Sequence, residues 1–71
     1  MKISLFEAMC IRNEYTAGEC TEQIRTMCWM IDYGNDPEEL LQQRGLKPGY
    51  VTELMDYYSD YIDEQEQRLE H

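Results

Sequence analysis

The chain has 71 residues, with 15 acidic and six basic side chains, a formal net charge of −9 and 42% apolar residues. That length holds one domain, which buries only about 60% of the surface its unfolded chain exposes, and the apolar fraction excludes a compositionally disordered chain. The sign of the charge argues against generic binding to nucleic acid or to an anionic membrane, both of which are polyanions.

Four segments carry helix signals. Ser4 precedes an apolar run and Glu7 follows three residues later, a capping-box spacing that opens a first helix over Leu5 to Asn13. Its apolar residues Leu5, Phe6, Ala8, Met9, Cys10 and Ile11 surround most of the helix, which predicts burial on more than one side. Thr16 and Glu19 form a second box, opening a helix over Ala17 to Tyr33 that Gly34 terminates. Ala17, Cys20, Ile24, Met27, Cys28 and Ile31 fall on one stripe of it, and Trp29 falls opposite. Trp29 is therefore either covered by a neighbouring helix, the favoured reading, or part of an interface. Asp36-Pro37-Glu38-Glu39 combines an N-cap, a proline at the first helical position and acids in the first turn. It opens a short third helix, Pro37 to Arg44, ended by Gly45. A fourth helix starts at Pro48 or Gly49 and runs to Arg68. The methionines at 9, 27, 30 and 55 are expected in the core.

The fourth helix is the most informative segment. From Pro48 to Gln67 there is no lysine or arginine, but there are six carboxylates and four tyrosines. On a wheel with Glu53 as origin, Asp56, Asp60, Asp63 and Glu64 fall between about −80° and +20°. Val51, Leu54, Met55, Tyr58, Ile62 and Leu69 occupy the core side, and Tyr50, Tyr57 and Tyr61 the border. The acid lane contains like-charge pairs three and four residues apart, each costing roughly 0.2–0.5 kcal/mol. The lane is therefore not tuned for helix stability. Its linear charge density, about one per 3–4 Å, is of the order of one DNA strand. Two readings follow: a solvated face that keeps a small domain soluble, or a contact surface for a basic partner. In the second, Tyr50, Glu53, Asp56, Tyr57, Asp60, Tyr61, Asp63, Glu64 and Trp29 are the candidate partner-binding residues, tyrosine and tryptophan being enriched at interfaces. In composition the chain is similar to small acidic inhibitor proteins of phages and mobile elements, which imitate nucleic acid.

Residues 37–54 resemble a helix-turn-helix unit, with Gly45 at the turn and Leu40, Leu46, Val51 and Leu54 at its apolar positions. The pattern is broken at Leu41, where a small residue is usual, and at Pro48-Gly49. As a DNA reader the segment would use Arg44, Lys47, Tyr50 and Thr52, with Glu53 and Asp56 facing phosphates unfavourably.

Cys10, Cys20 and Cys28 are odd in number and lack a Cys-x-x-Cys spacing, so a disulfide framework is not expected and a reducing, cytoplasmic setting is. No cofactor or metal site is expected, since the single histidine, His71, ends a Leu69-Glu70-His71 sequence that reads as an expression-tag remnant. No signal peptide or membrane span is evident, and no nucleophile has a base at a recognisable spacing. The sequence thus predicts an all-α bundle of about four helices, the last one longest, forming one domain over residues 1–68. Its expected role is non-catalytic binding of a basic protein, including nucleic-acid-mimicking inhibition or regulation of a nucleic-acid-binding protein. The alternatives are a helix-turn-helix DNA-binding regulator and a small homodimeric assembly protein.

Overall fold

The computed structural model describes residues 3–69, with side chains described through residue 66; the tag assignment at Glu70 and His71 lies outside the described residues. The helices begin where their caps predict. Ser4 is extended and its hydroxyl accepts from the Glu7 amide, opening α1, Leu5–Asn13. Thr16 and Glu19 close a complete reciprocal box at the start of α2, Ala17–Asp32. The Asp36 carboxylate accepts from the Glu38 amide at 3.0 Å, and Pro37 begins α3, Pro37–Gln43. A single 3-10 turn, Pro48–Tyr50, leads into α4, Val51–Leu69, the longest element. The second and third helices are each one residue shorter than expected, because Tyr33 and Arg44 act as C-caps.

At α1 only the Ser4 half of the expected box is present among the described hydrogen bonds. The first helical amide, that of Leu5, is instead taken by Glu53 Oε2 of α4 at 2.8 Å. A helix N-terminus leaves its amides without intrahelical partners and carries partial positive charge, so a carboxylate from elsewhere in the fold serves as its cap.

The helices stop by backbone geometry. Gly34 and Gly45 take left-handed φ values of 101° and 71°. Past each of them the chain bonds back to the helix it leaves, Asn35 to the Met30 carbonyl and Leu46 to the Leu41 carbonyl.

α4 packs most extensively on α2, α1 also packs on α2, and α3 packs on α4. Among the described residues ten form the core: Leu5, Met9, Cys20, Ile24, Met27, Cys28, Leu40, Leu41, Leu46 and Leu54. No polar or charged residue is buried among them. Leu41, which departs from the helix-turn-helix pattern, is fully buried.

Three packing expectations fail. Ile11 is 70% exposed, so α1 buries the Leu5–Met9 stripe and not its whole circumference. Met55 is an exposed residue, because it lies on the far flank of α4 from the seam with α2. Trp29 is 51% exposed: it lies opposite the buried Cys20–Cys28 face of α2, and α4 reaches only its edge, through Tyr61 and Gln65.

Candidate protein-binding surface

The seam between α2 and α4 gathers most of the aromatic and acidic candidates. Tyr57, Asp60, Tyr61 and Glu64 from α4 face Ile24 and Arg25 from α2 across a groove of about 230 Å³. Beside it a shallower depression of about 250 Å³ is lined by Arg25, Thr26, Trp29, Tyr61 and Gln65. Tyr61 and Arg25 belong to both, so the two form one continuous strip. Trp29 is held by Tyr33, one turn on, with ring centroids 4.5 Å apart at an interplanar angle of 58°, a tilted aromatic pair. Tyr33 is itself 71% exposed. It was absent from the predicted set, although its position four residues after Trp29 signals the pairing.

The acid lane divides into members that serve the fold and members that do not. Glu53 is spent on the α1 amide. Glu64 meets Arg25 at 3.6 Å, with both side chains about half exposed. That exposure makes the pair worth at most about 1 kcal/mol. Asp56, Asp60 and Asp63 are exposed, and among the described residues no cation lies within ion-pair distance of any of them. Asp63 stands about 180° from the buried Leu54 on the helix wheel, so it points straight into solvent. Tyr50 lies away from the strip, its hydroxyl donating to the Ile3 carbonyl at 3.1 Å.

Two tyrosines on this helix have hydroxyls whose ionisation is pushed up from the ordinary value. For Tyr57 the causes are partial burial and then the Glu53 charge. For Tyr58 they are desolvation and then the hydrogen bond it donates to Asp32 Oδ1 at 3.3 Å. Tyr58 and Tyr61 also stack, with centroids 6.5 Å apart. The Tyr57 and Tyr58 phenols are therefore neutral at physiological pH.

The residues of the DNA-reading alternative are dispersed in role. The Arg44 guanidinium donates to the Leu40 carbonyl at 2.9 Å, and the Arg44 carbonyl accepts from Asn13. Arg44 is thus built into the C-terminus of α3, where a cation suits the helix dipole. Lys47 and Thr52 are exposed, and Lys47 shares a different cleft with Tyr50.

Among the described residues no group of three or more His, Cys, Asp or Glu side chains is placed to hold a metal ion. No described helix is long and apolar enough to cross a membrane. The three cysteines are unpaired, and Cys20 and Cys28 are buried. Comparison with protein-family models, with curated proteins and with solved structures finds no match.

Proposed function

We propose that this chain is a non-catalytic binding domain. Its contact surface is the α2–α4 strip with the aspartates beside it, and its partner is a basic protein surface of the kind that holds nucleic acid. One observation carries the reading. Asp56, Asp60 and Asp63 stand exposed along one side of α4 with no cation within ion-pair distance among the described residues, on a helix whose Tyr57 is exposed and whose Tyr61 shares a depression with the exposed Trp29.

The physical case rests on cost. Like charges three and four residues apart destabilise the helix, and the part of each aromatic ring left in water adds nothing to the burial that stabilises the fold. Both features become favourable when a cationic groove is laid over them. The aspartates then replace phosphates, and the rings supply rigid contact area at low entropic cost.

The test is capture of a partner from the cognate lysate on the immobilised domain, followed by elution with duplex DNA. The reading predicts a basic protein that the DNA displaces, and loss of capture with Asp56→Lys/Asp60→Lys. Unchanged capture by that double variant would reduce the acid lane to a solvated face. A gel shift of duplex DNA by the domain itself at low salt would favour the helix-turn-helix reading instead.

A further inference from the structure

Away from the acidic strip, α1 and the connection between α3 and α4 enclose a cleft of about 620 Å³. Its walls are apolar: Ile3, Ile11, Leu46 and Tyr50. Ile3 and Ile11 are 41% and 70% exposed, so the core does not account for them. Among the described residues the two charged ones that line it, Arg12 and Lys47, are both cations, in a chain with 15 acids and six bases. Among the described residues neither has a carboxylate within ion-pair distance. Arg12 also has a built seat. Its guanidinium lies across Gly45, where an added Cβ would come within 2.6 Å of Nε. The Tyr50 hydroxyl is already engaged by the Ile3 carbonyl, which leaves the two cations as the cleft's free charge.

We infer that this cleft is a binding site for a small amphipathic monoanion, an apolar body carrying one carboxylate. The volume falls in the range of small-molecule sites, roughly 300–1,000 Å³. The apolar walls take the body, and Arg12 with Lys47 takes the carboxylate through charge-assisted hydrogen bonds. A second copy of the chain is the poorer occupant, because each copy carries a net charge of −9 and the copies repel.

The probe is dodecanoate, titrated below its micelle concentration into the isotope-labelled full chain and followed by amide chemical shifts, with dodecanol as the neutral control. The expected result is saturable shifts concentrated at Ile11, Gly45, Leu46 and Tyr50. Arg12→Gln/Lys47→Gln should weaken dodecanoate binding about tenfold or more and leave dodecanol binding unchanged. Neither side chain makes a described hydrogen bond, so the variant should keep the parent's circular dichroism. Diffuse or non-saturating shifts would overturn the inference, as would equal affinity of parent and variant for dodecanoate. Concentration-dependent shifts of the same amides without ligand would overturn it by assigning the cleft to a second copy. Saturable binding of an acidic peptide without any dodecanoate binding would assign it to a protein partner.

Discussion

Glu53 shows how one side chain serves two opposed demands. It begins the acid lane of α4, and it is also the carboxylate that meets the first amide of α1. A hydrogen bond to a charged group is worth about 1.5–3 kcal/mol when well shielded; Glu53 is only half-buried, so about 1–2 kcal/mol is the fitting scale. Its repulsion from Asp56 one turn away costs roughly 0.2–0.5 kcal/mol. The cap therefore wins, and Glu53→Ala should destabilise the domain by about 1 kcal/mol in urea unfolding. Glu53→Gln keeps an acceptor oxygen and should lose about half of that. If Glu53→Ala were instead more stable than the parent, repulsion within the lane would dominate and the contact to Leu5 would carry no weight.

At the scale of the element, α4 has an inner edge tied to the fold and an outer edge that is not. Asp56 and Asp63 each face two like charges at helical spacing, Glu53 and Asp60 for the first, Asp60 and Glu66 for the second. Replacing both with asparagine relieves four such pairs without removing any described contact. The expected gain is about 1 kcal/mol, read as a higher urea midpoint with an unchanged slope. A less stable double variant would mean that these aspartates have a folding role. Much of the secondary structure was legible beforehand, because cap residues, glycine stops and the 100° period act locally: the bounds of α1, the start of α2 and the outward aspartates of α4 all follow from neighbours in sequence. What was not legible depends on how elements meet. Nothing near Leu5 announces Glu53, 48 residues away. Ile11 and Met55 look like core residues until the neighbouring helices prove not to cover them. The cleft beside Arg12 exists only once Gly45 is folded beneath that side chain.

For the molecule as a whole, the packing of α2 against α1 and α4 also sets its response to alkali. Burial, then the hydrogen bond and charge of Cys10, push the Cys20 thiol from its ordinary 9.0 up to about 11. Burial pushes Cys28 up as well, against a smaller opposing effect of Arg25, and Tyr57 and Tyr58 shift in the same direction. All four are groups whose neutral form the folded state prefers. An acid with a raised folded pKa contributes stability that is fully present below its unfolded pKa and disappears as pH rises through the folded value. These four groups are therefore neutral at pH 7 and gain negative charge in strong alkali, in a chain already at −9. The melting temperature should be level from pH 7 to about 8.5 and should fall steadily as pH approaches about 11. Cys20→Ala removes one of these groups, so its curve should fall less steeply, whatever the variant loses in packing at pH 7. Parallel curves for parent and variant would show that Cys20 does not ionise against the fold, and a curve level to pH 11 would mean that water already reaches these groups.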